Sequence, residues 1–352
     1  MKTMMIRRTL WKTFGLRKPS LLLPLLIWTV LVTVCWRLSR VSSGLLLPPA
    51  PHQDLSHFRR SRSLQHYLDE IQLLIEPSSV LCSLQEEPVV VLVASAPSRL
   101  DHREAIRRTW GSRLPTYFIM GLDGDINDEQ LVDNYVEAKQ YSDLVVFDFR
   151  EHYQNLTLKT GLMLQWTLNR CPQARFLYKT DDDMLVNPWV LKDVLRDRGD
   201  AKMLGYVYNN SLLHRDEHNK WYLPRWLCSE DVIPQYMTGP GYLISGEYLR
   251  AILQAANKVP LHNLEDVYFT YNVAKKTLHL TLSHDSRLSP FRPWSSWLPF
   301  GCHNWRYASI HSVTPQEILR IWTSIQPIGD QYSKGHPVCQ NYDDFLRFFG
   351  IS

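Results

Sequence analysis

The sequence predicts an α/β fold with a mostly parallel central sheet. Three observations carry that expectation. Val89 to Ser95 is an unbroken, valine-rich apolar run, the pattern of a strand buried on both faces. Strand and helix patterns then alternate, as in chains that lay helices over a parallel sheet. Finally, Asp181-Asp182-Asp183 follows directly on an apolar strand, at the carboxyl end where open α/β sheets bind ligands.

Taken in order, Lys2, Arg7, Arg8, Lys12, Arg17 and Lys18 precede an apolar run from Leu21 to Trp36, which is followed at once by Arg37 and Arg40. That asymmetry predicts a cytoplasmic tail over 1–19 and a membrane-spanning signal anchor over 20–36. A cleaved signal peptide fits less well, because its apolar region is ordinarily 7 to 15 residues and no A-x-A site follows Trp36. Residues 37–86, with Pro48, Pro49 and Pro51, a basic cluster at Arg59, Arg60 and Arg62 and one short amphipathic stretch near Tyr67 to Ile75, read as a stem. The domain expected over 87–352 continues with a helix from Leu100 to Trp110, strands over Thr116 to Leu122 and Leu144 to Phe149, and a helical stretch around Glu129 to Lys139. An amphipathic segment from Leu158 to Leu168 and a strand from Arg175 to Thr180 complete the pattern.

The composition, 45% hydrophobic and 21% charged over 352 residues, supplies enough apolar surface for a sizeable core. The net charge of +4 owes much to the N-terminus and points to a membrane rather than to nucleic acid. Twelve Trp and 17 Tyr are many; aromatic faces suit sugar rings, but such side chains more often fill cores. Of six cysteines, Cys35 lies in the expected span. The remaining five cannot all pair within one chain, so one is free or intermolecular, which would permit a homodimer. Cys82 precedes the first core strand and Cys171 the acidic strand, and neighbouring strands would bring those two together. Asn155-Leu156-Thr157 and Asn209-Asn210-Ser211 are candidate glycosylation sequons at Asn155 and Asn209.

Three adjacent carboxylates are costly unless something positive sits there. Oxygen ligands suit Mg²⁺ or Mn²⁺, and on an extended segment Asp181 and Asp183 project to the same side. An acidic surface turn before Pro188 is the plainer alternative. With no Walker A or GxGxxG motif, a strand ending in Asp-x-Asp suggests a nucleotide diphosphate held through metal. A second acidic pair, Glu265-Asp266, opens an amphipathic helix, where complementarity to the helix dipole would also account for it.

The blocks Arg103-Glu-Ala-Ile-Arg107-Arg-Thr-Trp110-Gly111, Asn155-Leu-Thr-Leu-Lys159-Thr160, Phe176 to Asn187, Gly239-Pro-Gly-Tyr242, Glu265-Asp-Val-Tyr268 and His311-Ser-Val-Thr-Pro315 occur together and in this order. They resemble the signature blocks of the β1,3-galactosyltransferase and β1,3-N-acetylglucosaminyltransferase family, glycosyltransferase family 31. The resemblance implies a GT-A nucleotide-sugar-binding fold, a UDP-sugar donor, a manganese or magnesium ion and inversion at the anomeric carbon. It implies a Golgi type II membrane enzyme whose acceptor is a glycan on a glycoprotein or glycolipid. Galactose is the favoured donor sugar, with N-acetylglucosamine, N-acetylgalactosamine or an inactive lectin-like member as alternatives. Carried over by position, Asp183, with Asp181 and His311, would hold the metal. Arg103, Arg107, Trp110, Lys179 and Asp182 would lie near the donor, with Lys179 equally readable as a solvated strand residue and Trp110 as a core aromatic closing its helix. Asp266, with Glu265 beside it, would be the base. Met237 and Asn272 stand where many members carry cysteines, as if one disulfide had been lost.

Overall fold

The computed structural model describes residues 28–31, 60–82, 89–123, 128–293, 301–340 and 342. The chain separates into units 1–52 and 53–352. In the first, only the helical stretch 28–31 is described, so the expected tail and most of the expected span lie outside the described residues. Among the described residues no helix is long and apolar enough to cross a membrane.

The second unit is an α/β layer structure. Its strands are β1 (Leu73–Ile75), β2 (Val89–Ala94), β3 (Thr116–Leu122), β4 (Leu144–Arg150), β5 (Phe176–Asp181), β6 (Met184–Val186), β7 (Met203–Leu212), β8 (Val232–Ser245), β9 (Leu282–His284) and β10 (Ser309–His311). Its main helices are α1 (Leu64–Glu70), α2 (Leu100–Arg107), α3 (Asp128–Tyr141), α4 (Leu156–Arg170), α5 (Pro188–Asp197), α6 (Gly246–Ala256), α7 (Gly301–Trp305) and α8 (Pro315–Tyr332), with a π-helix over Val267–Thr277 between α6 and α7. The main sheet runs β1-β4-β3-β2-β5-β8-β7-β9. Strands β4, β3, β2 and β5 are parallel, whereas β8 is antiparallel to both β5 and β7. The expected parallel sheet is thus its centre, with β1 added antiparallel at one edge and a long antiparallel arm of β8 and β7 extending the other.

Strand β2 shows why the sheet is buried. Val90, Leu92 and Ala94 enter one core, with Leu162, Trp166, Ile252 and Phe269. Val89, Val91 and Val93 enter the other, with Phe118, Leu191, Ile321 and Trp322. This alternation is the two-residue period of a strand covered on both faces, and each buried Val or Leu contributes roughly 1.5–3 kcal/mol. Helix α4 is almost wholly buried because it lies between the sheet and helices α1 and α6.

The folded unit begins upstream of residue 87, inside the segment read as stem. Helix α1 is capped by Ser63, whose hydroxyl accepts from the His66 amide. Its Leu64 and Leu68 are buried, and a β-carbon on Gly161 of α4 would come within 3.0 Å of Leu64. Strand β1 then adds to the sheet edge against β4. Two apolar residues four apart behind a Ser cap were the available signal, and the flanking prolines and arginines obscured it.

Cys82 and Cys171 form a disulfide, and a second joins Cys302 to Cys339. Among the described residues Cys228 is the free cysteine. It is buried and its thiol donates to Glu230, so it offers no surface sulfur for the homodimer anticipated from an unpaired cysteine. Where a disulfide was expected to be missing, the Met237 amide donates to the Thr270 hydroxyl at 2.9 Å and ties β8 to the π-helix. The Cys82 bridge closes a loop spanning 89 residues. Replacing both cysteines by alanine should therefore lower the unfolding free energy by about 2–5 kcal/mol, readable as a lower denaturant midpoint. A shift below about 0.5 kcal/mol would count against that contribution.

Candidate active site

Strand β5 delivers Lys179 and Asp181 to its carboxyl end, and the chain turns through Asp182 and Asp183 into β6. Strand β6 pairs antiparallel with β10, His311 facing Met184 in the register. That pairing sets His311 Nε2 3.5 Å from Asp183 Oδ2, and the Val313 amide donates to the Asp183 carbonyl at 3.0 Å. The Asp183 carboxyl is raised above its ordinary range by burial and by Asp181, with His311 opposing the shift.

The second acidic pair arrives from the other side. Strand β8 pairs with β5 so that Tyr242 faces Lys179 and Gly241 faces Thr180. Glycine is required at 241 because a β-carbon would fall 2.7 Å from the buried Tyr178 hydroxyl. Lys179 is not the solvated strand residue that was the alternative reading. It is buried, and its ammonium donates to Asp181 Oδ1 at 2.8 Å and to the Gly239 carbonyl at 2.7 Å, with Glu265 Oε2 3.5 Å away. Tyr242 donates its hydroxyl to the other Glu265 oxygen. One buried ammonium thus bridges the two acidic segments.

Among the described residues Asp266 makes no ion pair of its own. Its carboxylate accepts from the Val267 amide at 2.8 Å. Burial, and next the neighbouring Glu265 charge, push its pKa up to about 7, with Lys179 opposing the shift. A carboxyl that titrates there can accept a proton near neutral pH.

Several candidates occupy other roles. Arg103 is 1% exposed; its guanidinium clamps Glu137, at 2.7–2.8 Å, and bonds the Ser95 hydroxyl and the Ala96 carbonyl. Arg107 bonds Glu137 and Asp143 and lies over the ring of Tyr141. Trp110 is fully buried and donates its indole N–H to the Met184 carbonyl at 3.0 Å. These three fix helix α2 beneath the sheet rather than presenting donors to a ligand. Asp182 is likewise engaged, accepting from Ser95 at 2.8 Å and from Nε and Nη2 of Arg99. Asn155, the first sequon asparagine, is 5% exposed, its amide nitrogen donating to the Arg150 carbonyl and its oxygen accepting from Arg60, which leaves little room for a glycan in the folded chain. Asn209, in contrast, is exposed on β7.

Arg99 was missed. It sits in the turn immediately after β2, and its guanidinium, paired with Asp182, also feels the Asp183 charge. The available signal was an arginine directly after the first buried strand.

Carboxylates and a histidine gathered at the ends of parallel strands, with a near-neutral carboxyl opposite, suit group transfer from an anionic donor, and the comparisons agree that the chain is a glycosyltransferase. Residues 101–282 match the family model described as galactosyltransferase. The chain belongs to that family, glycosyltransferase family 31. Beta-1,3-galactosyltransferase 1 of Mus musculus is 29% identical over 336 residues, covering 88% of this chain and 97% of that protein. Beta-1,3-galactosyltransferase 5 of Pan paniscus is 30% identical over 248 residues, covering 68% and 80%. A solved glycosyltransferase involved in glycosylation of the PBCV-1 major capsid overlaps 67% of this chain and 99% of that one, at 10% identity and a TM-score of 0.37, too slight to bear on the site.

If the Arg103 and Arg107 cluster is structural, Glu137→Ala should destabilise the protein by about 3–5 kcal/mol by stranding buried guanidinium charge. The Michaelis constant for the sugar donor should stay unchanged. A donor KM raised several-fold with an unchanged melting temperature would return these arginines to the donor site.

Proposed function

We propose that the protein transfers galactose from UDP-galactose to a hydroxyl of an acceptor glycan, on glycoprotein or glycolipid, with inversion and a β1,3 linkage. The observation that carries this reading is the buried Lys179 ammonium, which joins Asp181 of the strand-end triplet to Glu265, the neighbour of Asp266, whose own carboxyl burial pushes up to about 7. The relatives' names support galactose and the β1,3 linkage.

Among the described residues no three His, Cys, Asp or Glu groups converge closely enough to form a metal site by themselves. Asp183 and His311 nevertheless make a carboxylate and imidazole pair that fits manganese, or magnesium, taking the rest of its shell from diphosphate and water. Such an ion supplies Lewis-acid stabilisation of the charge developing on the departing diphosphate. Lys179 keeps Asp181 and Glu265 in place. Arg99, carried on the turn that follows β2, adds positive charge beside the triplet, where a diphosphate would benefit. Asp266 accepts the proton of the attacking hydroxyl, and its near-neutral pKa makes the product proton neither too tightly nor too weakly held. Glu265, buried and bonded by Tyr242, assists by raising Asp266.

We read the setting as the Golgi lumen, with residues 1–19 cytoplasmic, 20–36 spanning the membrane and the folded unit luminal. The charge asymmetry around the apolar run supports that topology. The two disulfides and the exposed Asn209 sequon fit an oxidising, glycosylating compartment.

The direct test offers the purified protein UDP-galactose, UDP-N-acetylglucosamine and UDP-N-acetylgalactosamine with a set of acceptor glycans. UDP release should depend on acceptor, favour UDP-galactose, vanish in chelator and return with manganese. Full activity in chelator would remove the metal from the reading, and preference for another donor would remove galactose. Asp266→Asn should cut turnover by about 10²-fold or more with donor KM almost unchanged. Wild-type turnover should fall about tenfold per pH unit below the Asp266 pKa of about 7. The sign for stability is opposite to that of an ordinary paired aspartate. The folded state holds this proton more tightly than the unfolded chain does, so its contribution is present at low pH and is lost as pH rises from about 4 towards 7. Asp266→Asn should therefore melt no lower than wild type at pH 8. A variant within threefold of wild-type turnover would show that Asp266 is not the base.

A further inference from the structure

The reaction proposed above leaves open what holds the acceptor. Two surface elements converge on the segment that carries Asp266. The first is the turn after β4, a short 3₁₀ stretch over Tyr153–Asn155 that runs into α4. The Thr157 hydroxyl one turn on donates to the His262 carbonyl at 2.7 Å, which docks this turn against the residues leading to Glu265. The second is the connection from β7 to β8. Its Leu223 and Cys228 share a small core with Leu264 and Val267, on either side of Asp266. Arg215 staples this connection from within by donating to the carbonyls of Leu223, Cys228 and Glu230.

A loop this well tied would be expected to bury its large aromatics. Trp221 instead is 43% exposed, and Tyr153 across from it is 45% exposed. The two are joined, since the Trp221 indole N–H donates to the Tyr153 hydroxyl at 3.1 Å. Asn219 holds the base of Trp221 by accepting from its backbone amide at 2.9 Å. His214 lies 5.4 Å from the Trp221 ring, and the Lys220 ammonium lies 4.5 Å from that ring and 5.7 Å from Tyr153. The Tyr153 phenol is raised to about 12 by burial of its ring end and then by the Asp266 charge, so it lies within electrostatic reach of that carboxylate.

An aromatic pair fixed by its own hydrogen bond and left open to solvent beside a proton-accepting carboxyl has the form of a stacking surface for a sugar. The apolar C–H face of a pyranose lies on an indole, and its hydroxyls meet donors at the rim. We propose that Trp221 and Tyr153 form the acceptor subsite, holding a neutral pyranose against the indole so that one hydroxyl points to Asp266. Lys220 moves off the indole face on binding and donates to a sugar hydroxyl at its edge. This assignment rests on the galactosyl-transfer reading above, and it makes Trp221 a substrate-contacting residue and Tyr153 the residue that positions it.

The test uses the full-length protein with UDP-galactose and two probes, methyl N-acetyl-β-glucosaminide and methyl β-galactoside, and compares wild type with Trp221→Ala, Trp221→Phe and Tyr153→Phe. Binding of each glycoside is followed by saturation-transfer NMR, and transfer by UDP release. Trp221→Ala should raise the acceptor KM at least tenfold, leave the donor KM within twofold and abolish the glycoside NMR signal. Trp221→Phe should recover most of the acceptor affinity, because a ring remains. Tyr153→Phe, which removes the acceptor of the indole N–H, should raise the acceptor KM by a smaller factor. An acceptor KM within twofold of wild type for Trp221→Ala, or equal rises in donor and acceptor KM, would overturn the subsite. A wild type that binds a glycoside through Trp221 but transfers nothing would sink the transferase reading and leave the subsite standing. A wild type that neither binds nor transfers to either probe would sink both.

Discussion

The site depends on how five converging carboxylates are kept from repelling one another. Asp182 is paired with Arg99 and Ser95, Asp181 and Glu265 share the buried ammonium of Lys179, and Asp183 faces His311. Among the described residues Asp266 makes no ion pair, feels Lys179 only at a distance and carries a raised pKa. Breaking the Lys179 bridge would leave Asp181 and Glu265 uncompensated in a buried site, so the lysine is as much a part of the chemistry as the acids it separates.

That bridge exists because of the sheet. Lys179 can reach Glu265 only because β8 runs antiparallel beside β5, with glycines where the two strands and the π-helix crowd one another. A β-carbon on Gly239 would come 3.3 Å from the Asp266 carboxylate. The Val267–Thr277 segment follows directly on Asp266, and its wide turn is of the kind often found at functional positions. Rigidity below the site comes from a different set of charges. The arginines of α2, paired with Glu137 and Asp143, lock the helix after β2 and so fix the turn that carries Arg99.

The surface around Asp266 differs from this rigid floor in being aromatic. Tyr153, bonded to Trp221, and Tyr236 both feel the Asp266 charge, each phenol being raised to about 12 by burial and then by that carboxylate.

The sequence by itself determined the parallel part of the sheet, because its strands carry apolar runs that are buried along most of their length. Val89 to Ser95 is one such run, and the structure ends that strand at Ala94. It also determined that acids meet at a strand end, since Asp181 to Asp183 follow β5 without a break. What only the tertiary structure decided is which charge answers which. Arg103 and Arg107 have the residue type of a phosphate clamp, yet Glu137, 30 or more positions away, claims them both in the interior. Asn155 satisfies a sequon but spends its amide on the Arg150 carbonyl. Lys179 looked as likely to be solvated as buried until β8, more than fifty residues downstream, was laid beside it. Strand burial is written in local periodicity, whereas the partner of a charged side chain is set by contacts between distant segments, and no spacing in the chain encodes them.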